Sequence, residues 1–191
     1  NQCQHFSKEG FKGQPYQGGG NDLHAYASQK SEHPDVAGGL TIMKTEQIES
    51  FCPEDTFALG EKIGRLAEPG TVLTLVGDLG VGKTVFTQGV AAGLGIREPV
   101  NSPTFTIVQI YEEGRMPFYH FDVYRIGDVE EMEEIGYEDC FYGNGLCLIE
   151  WANLIEEILP PSYTRVKIEK DLKKGFDYRK ITLTRKEANQ E

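Results

Sequence analysis

A glycine-rich stretch at residues 77–84, GDLGVGKT, matches the pattern GxxxxGK[ST] at every fixed position. Glycines let successive backbone N–H groups converge on one point, and a helix that begins there directs its positive end to the same point. Lys83 would add a charge for the β- and γ-phosphates, and the Thr84 hydroxyl would be a Mg²⁺ ligand. The stretch therefore predicts a nucleoside triphosphate site. The residues assigned to the nucleotide here are Gly80, Val81, Gly82, Lys83, Thr84 and Val85.

A phosphate loop of this kind needs a carboxylate at the end of another strand to help hold the metal. Two apolar runs end in an acid: FYHFD ends at Asp122 and LCLIE ends at Glu150. The run before Glu150 is the more continuously aliphatic, which predicts a central strand beside the loop. Glu150 is therefore favoured over Asp122 as the metal ligand, together with Thr84. Asp122 would orient water or sense the γ-phosphate, so Lys83, Asp122 and Glu150 are the predicted catalytic residues.

Two aromatic neighbours of these acids leave alternatives open. His120 precedes Asp122 by two positions and has the chemistry of a general base, but a His beside Phe121 on a strand is more often packed and hydrogen-bonded. Trp151, the only tryptophan, follows Glu150 directly. It would stack on a nucleotide base, contact a partner or pack in the core.

The surrounding pattern predicts the elements that must position these side chains. TVLTLV suits a strand buried on both faces, and it precedes the loop directly. Two alternating segments near the C-terminus predict an antiparallel pair. The order of elements indicates an α/β fold with a mixed, mostly parallel sheet flanked by helices and with an antiparallel C-terminal edge. The predicted strands are 71–76, 105–111, 118–122, 146–149, 163–170 and 178–184, and the predicted helices are 57–67, 85–94, 129–135 and 154–159.

Composition limits the classes of function. The formal net charge of −11 argues against a free-standing nucleic-acid binder, which would need a basic face. Apolar runs stay well below the ~20 residues of a membrane span, so no membrane association is expected. The four cysteines form no CxxC pair, which predicts reduced thiols in a cytoplasmic protein.

The first 42 residues differ in composition and hydrophobic pattern from the rest of the chain. They are rich in Gly, Gln, Ser and His and show little periodicity, so they are predicted to be a flexible segment or an added leader. Met43 would then be the native start of a single P-loop domain at 43–191. The alternative is a short extension that folds onto the domain or onto a partner.

Five motifs in order resemble one family. GDLGVGKT, NSPTFTIVQIY, FYHFDVYRI, the acidic EEMEEIGYED and LCLIEW together are similar to the TsaE (YjeE) family over about residues 51–185. Members are small bacterial P-loop ATPases of the pathway that makes N6-threonylcarbamoyladenosine in tRNA. The resemblance implies a P-loop mixed sheet, ATP/ADP with Mg²⁺, and action with TsaB-type and TsaD-type partners, so that tRNA is met only through the complex.

The resemblance also assigns roles to individual residues. Glu150 matches the Walker B-type acid of the family and Asp122 matches its second functional acid. Residues 102–104, SPT, match a switch-like loop near the γ-phosphate. Thr56 matches a position near the nucleotide base, and Arg179 matches a C-terminal nucleotide contact.

Two other functions share the phosphate loop. A kinase would transfer the γ-phosphate to a metabolite or protein, although no arginine-rich lid insertion lies between 85 and 146. A nucleotide-gated binding module would use ATP only to control assembly. The guanine-specifying N/TKxD tetrapeptide is missing after the loop, which favours ATP over GTP.

Overall fold

The computed structural model describes residues 42–188. The predicted leader lies outside these residues except for Ile42, so the leader, the native start at Met43 and the domain boundary stay predictions. The described strands are β1 (Ile42–Ser50), β2 (Val72–Val76), β3 (Val108–Tyr111), β4 (Phe118–Asp122), β5 (Leu146–Glu150), β6 (Tyr163–Lys170) and β7 (Arg179–Glu187). The α-helices are α1 (Pro53–Leu66), α2 (Lys83–Leu94), α3 (Glu130–Glu134) and α4 (Tyr137–Phe141), and two 3₁₀ turns span Ala152–Leu154 and Glu156–Ile158.

The strands form one sheet in the order β1-β7-β6-β2-β5-β4-β3. Strands β6, β2, β5 and β4 run parallel to one another, whereas β3 and β7 run antiparallel to their neighbours. Crossover connections with helices between parallel strands make this an α/β fold. The predicted fold class is confirmed, including the antiparallel pairing of β6 with β7 and the position of β5 beside β2.

Each face of the sheet has its own apolar core. On one face α1 and α2 pack together and cover a cluster that contains Leu75, Phe86 and Leu148. On the other face the short helices and 3₁₀ turns cover a cluster that contains Phe121 and Ile149. Because β2 and β5 are buried on both faces, their residues lack the alternation of a one-sided strand.

Helices α1 and α2 approach each other unusually closely. A Cβ added at Gly64 would lie 2.1 Å from the carbonyl oxygen of Val90, and one added at Gly60 would lie 2.3 Å from that of Phe86. Only glycine fits this contact, because any side chain would meet backbone of the opposite helix. The close contact fixes α2 against the sheet, and with it the loop that precedes α2.

Several predicted elements differ from those observed. The predicted helix 154–159 is wrong: the chain forms two 3₁₀ turns, because only eight residues separate the left-handed Trp151 from Pro160. The predicted strand 105–111 begins only at Val108, since residues 103–107 form hydrogen-bonded turns. Strand β1 and helix α4 were not predicted. No helix within 42–188 has the length and hydropathy that a membrane crossing requires.

Candidate nucleotide site

The glycine-rich loop leaves β2 at Val76 and enters α2 at Lys83. Gly82 caps the helix with φ 106°, a left-handed conformation that ordinary side chains rarely adopt. Gly77 is restricted by space as well, because an added Cβ would lie 2.5 Å from the carbonyl oxygen of Ile168 on β6. These two glycines let the loop curl tightly against the sheet, as the sequence pattern predicted.

The side chain of Lys83, the residue that ends the glycine-rich loop, is hydrogen-bonded to the backbone of that loop. Its ammonium group donates hydrogen bonds to the carbonyl oxygens of Gly77 at 2.9 Å and Asp78 at 3.1 Å. The same ammonium lies 4.6 Å from the centroid of the Trp151 ring, within the range of a cation–π contact. Burial lowers the pKa of Lys83, and the negative charges of Glu150 and Asp122 oppose that shift.

A cavity of about 500 Å³ opens in front of this lysine. That volume is within the usual range for a small-molecule site. It brings together most of the residues that the sequence assigned to nucleotide, metal and catalysis. Its lining consists of Leu79, Gly80, Gly82, Lys83, Thr84, Val85, Ser102, Thr104, Asp122, Tyr124, Glu150 and Trp151.

The two predicted acids meet at one edge of the sheet. Asp122 and Glu150 are register partners on the adjacent parallel strands β4 and β5. They are 3% and 2% exposed, so both carboxylates are largely removed from bulk water. A pair of buried acids at strand ends, facing a lysine and a helix N-terminus, is a site suited to a cation and phosphates together.

Asp122 is the anchor of the loop between α2 and β3. Its Oδ2 accepts hydrogen bonds from the hydroxyls of Ser102 at 2.5 Å and Thr104 at 2.8 Å. Its Oδ1 accepts one from the backbone N–H of Tyr124 at 3.1 Å. Both carboxylate oxygens are thus engaged by the protein, and the switch-like loop is tied directly to this acid.

The same loop carries backbone strain. Ile107 has φ 66°, which is an outlier for a β-branched residue. Its carbonyl oxygen accepts a hydrogen bond from the N–H of Asp122 at 2.8 Å, which holds the strained residue against the end of β4. Strain of this sort persists where neighbouring contacts enforce it and is common at functional sites.

Glu150 is engaged differently. Its Oε1 lies 2.9 Å from Nε2 of the fully buried His120, whereas the structure gives its Oε2 no hydrogen bond within residues 42–188. His120 is therefore packed and hydrogen-bonded, as expected from its place on a strand, and it does not line the cavity. The Thr84 hydroxyl and the Glu150 carboxylate supply oxygen atoms of the type that Mg²⁺ prefers.

The protein groups near the cavity do not by themselves complete a metal site. No cluster of three or more His, Cys, Asp or Glu side chains suitable for a metal occurs among the described residues. Mg²⁺ in nucleotide enzymes commonly takes one or two protein oxygens and completes its shell with phosphate and water. The donor set of Thr84 and Glu150 fits that pattern.

Two aromatic side chains, Trp151 and Tyr124, line the cavity. The sequence left the role of Trp151 open and did not indicate Tyr124. Trp151 is half-buried with φ 62°, and its ring contacts both the Lys83 ammonium and the ring of Tyr124, whose centroid is 5.0 Å away. Tyr124 was not predicted, although its place two positions after the strand-end acid Asp122 was a usable signal. The left-handed backbone at Trp151 was not indicated by the local sequence. With this backbone the ring contacts the ammonium group of Lys83.

Three predicted nucleotide residues do not line the cavity. Thr56 is buried in α1, where its hydroxyl lies 2.8 Å from that of Ser50. Val81 packs in the core, and its carbonyl oxygen accepts a hydrogen bond from Nε of Arg179 at 2.6 Å. Arg179 thus braces the phosphate loop from the β7 side. Direct nucleotide contacts of these residues stay predictions.

Known proteins resemble this chain over most of its described length. The family model described as "Threonylcarbamoyl adenosine biosynthesis protein TsaE" matches residues 51–181. The tRNA threonylcarbamoyladenosine biosynthesis protein TsaE of Bacillus subtilis is 49% identical over 142 residues, which cover 74% of this chain and 87% of that protein. The protein of the same name from Haemophilus influenzae is 37% identical over 131 residues, which cover 65% and 83%.

A solved structure matches as well. The crystal structure of YdiB from Bacillus subtilis superposes with a TM-score of 0.65 at 43% sequence identity. The match covers 75% of this chain and 87% of that one. Sequence and structure comparisons thus point to the same group of proteins.

Proposed function

The chain belongs to the TsaE family, which serves threonylcarbamoyladenosine biosynthesis, and we propose that its part is Mg²⁺-dependent hydrolysis of ATP. One observation carries the proposal. Lys83, Thr84, Asp122 and Glu150, which come from three separate segments, line one cavity at the N-terminus of α2. Phosphate binding, metal binding and charge stabilisation need these groups at one place.

Each group has a part that follows from its surroundings. The loop amides and the N-terminus of α2 bind the phosphates, and Lys83 stabilises the charge that develops on them. Thr84 and the free oxygen of Glu150 would hold Mg²⁺, and the ion would supply positive charge that neutralises the phosphates. Asp122 orients the attacking water or couples the Ser102–Thr104 loop to the γ-phosphate, and its hydrogen bonds to both hydroxyls support the coupling.

The wider assignment follows the family. ATP and ADP are the proposed nucleotides, because the chain lacks a guanine-specifying tetrapeptide. The proposed partners are TsaD-type and TsaB-type proteins, and tRNA is met through their complex. This division of labour agrees with a net charge of −11, which disfavours independent binding to RNA. The cytoplasm, where tRNA is modified, is the proposed location.

The proposed hydrolysis is tested by tracing where the γ-phosphate of ATP is transferred. Labelled ATP is incubated with the full chain, alone and with TsaB-type and TsaD-type proteins plus tRNA, and the label is traced to water, protein or metabolite. We expect inorganic phosphate, with stimulation by the partners. Lys83→Ala and Glu150→Ala should keep the fold and lose ~10²-fold or more of the rate.

Other outcomes have distinct meanings. Label on a metabolite or protein would support a kinase instead. ATP-dependent complex formation without phosphate release would support a nucleotide-gated binding module. Wild-type rates in both variants would refute the assignment of the site.

A further inference from the structure

We propose that His120 is a positioning residue that fixes the Glu150 carboxylate so that one of its oxygens faces the metal. The inference rests on the proposed function, because it assigns Glu150 to the metal. His120 does not line the cavity and so touches neither substrate nor metal. Its effect passes through Glu150 alone.

The contact is short and removed from water. Nε2 of His120 lies 2.9 Å from Oε1 of Glu150, and the two side chains are 0% and 3% exposed. His120 pairs with Leu148 in the β4–β5 register, two positions before the pair of Asp122 and Glu150. Because alternate residues of a strand share a face, His120 lies on the same face of the sheet as both acids.

Hydrogen-bond chemistry fixes the direction of this contact. An ionised carboxylate only accepts, so Nε2 carries the proton and donates it to Oε1. In the neutral ring Nδ1 is then an acceptor, and this atom is buried without a hydrogen-bond partner among the described residues. The one side-chain hydrogen bond of His120 among the described residues is therefore the one from Nε2 to Glu150.

The surroundings of the ring would suit an apolar side chain. The imidazole stacks on Phe118 with centroids 5.9 Å apart and an interplanar angle of 13°. A phenyl ring would make the same stack without leaving a buried nitrogen unpaired, which costs stability. The donor at Nε2 is therefore the property that distinguishes His120 from a packing residue.

The consequence is a carboxylate with two unlike oxygens. Oε1 is held by His120, and Oε2 is left to coordinate the metal, directly or through a bound water. Asp122 differs, because Ser102, Thr104 and the Tyr124 N–H occupy both of its oxygens. Outer hydrogen bonds that orient a metal ligand are typically worth ~10–100-fold in metal affinity or activity.

Three substitutions separate positioning from packing. His120→Gln places an amide N–H near the position of Nε2 and keeps the donor. His120→Phe keeps the stack on Phe118 and removes the donor, and His120→Leu removes both. Melting temperatures report folding, and the affinity for a fluorescent ATP analogue is measured in EDTA and across a Mg²⁺ titration, beside ATP hydrolysis.

We expect the affinity in EDTA to be unchanged in all three variants. In His120→Phe and His120→Leu, the Mg²⁺ concentration at half-effect should rise ~10-fold or more and kcat should fall by a similar factor, whereas His120→Gln stays within a few-fold of wild type. Equal losses in all three variants, tracking their melting temperatures, would overturn the proposal and make His120 a packing residue. Wild-type Mg²⁺ dependence in His120→Phe would overturn it too.

A measurement on the wild-type chain tests the proposal even if the variants fail to fold. Nitrogen NMR of histidine-labelled protein should show His120 with its proton on Nε2, and a proton on Nδ1 instead would overturn the proposal. If wild type hydrolyses no ATP but Mg²⁺ still strengthens nucleotide binding through His120, the proposed hydrolysis fails and the positioning role stands. If Mg²⁺ has no effect on nucleotide binding by wild type, the positioning role fails.

Discussion

Asp122 and Glu150 are paired in register on neighbouring parallel strands, yet their carboxylates are bound in opposite ways. Both carboxylate oxygens of Asp122 accept hydrogen bonds, one from the hydroxyls of Ser102 and Thr104 and the other from the backbone N–H of Tyr124. One oxygen of Glu150 is hydrogen-bonded to a buried imidazole, and the other has no hydrogen bond within residues 42–188. The two acids therefore stand side by side in different hydrogen-bond environments, which is the basis for the different roles we propose for them.

Loss of the Asp122 charge should uncouple the switch-like loop from the site. Asp122→Asn keeps the volume, but an amide oxygen is a weaker acceptor for the two hydroxyls. We expect ATP hydrolysis to fall ~10²-fold or more, while the Mg²⁺ dependence of nucleotide binding stays close to wild type. Steady-state kinetics and nucleotide titration measure the two effects, and Asp128→Asn, at an exposed residue outside the cavity lining, is the control. A lost Mg²⁺ dependence would identify Asp122 as the metal ligand instead.

Trp151 should report nucleotide binding by fluorescence. It is the only tryptophan of the chain, and its ring contacts the Lys83 ammonium that the phosphates would draw away. We expect ADP to change its emission intensity, and Lys83→Met to change the starting emission and weaken the response. Identical spectra with and without saturating ADP would show that the ring is not coupled to the phosphate site.

The contact between α1 and α2 should tolerate no added methyl group. In Gly64→Ala the new Cβ would meet the carbonyl of Val90, and the expected loss in free energy of unfolding is about 1–3 kcal/mol. This is opposite to the gain of about 0.5–1 kcal/mol that alanine gives in an unconstrained helix. Ala92→Gly, at an exposed position of α2, is the reference for the intrinsic effect. Urea unfolding measures both, and a stabilised Gly64→Ala would contradict the packing described here.

Arg179 should affect nucleotide binding indirectly, through its hydrogen bond to the glycine-rich loop. Its guanidinium donates to the carbonyl oxygens of Val81, Phe176 and Tyr178, so Arg179→Met leaves the loop unbraced. Hydrogen bonds of charged donors are worth about 1.5–3 kcal/mol, which corresponds to a rise in KM for ATP of ~10- to 150-fold if the whole loss falls on nucleotide binding by the loop. Arg185→Met, an exposed residue paired with Glu187, is the matched control. Equal KM values in the two variants would remove the bracing role.

Much of the site was predictable because its signals are local. The GDLGVGKT pattern needs only one strand and one helix around it, and acids at the ends of apolar runs mark strand ends in a parallel sheet. The aliphatic continuity of β5 correctly placed Glu150 beside the loop strand. These features depend on residue types and short spacings, which the sequence displays directly.

Other features depend on contacts between distant segments. The bond from Arg179 to Val81 joins residues 98 positions apart, and nothing near Arg179 distinguishes it from other strand-end arginines. β1 was overlooked because its outward residues are polar and its pairing partner β7 lies at the far end of the chain. The left-handed backbone at Trp151, with φ 62°, is a conformation that the propensity of a tryptophan does not predict.

Hydrolysis of ATP with Mg²⁺ is the activity that we propose for this cavity. The most direct measurement is phosphate release from ATP by the full chain in Mg²⁺, in EDTA, and in Mg²⁺ with Lys83→Ala in place of wild type. We expect wild type to release phosphate in Mg²⁺, EDTA to abolish the release, and Lys83→Ala to reduce it ~10²–10³-fold. Release that persists in EDTA, or that Lys83→Ala leaves unchanged, would contradict the proposal.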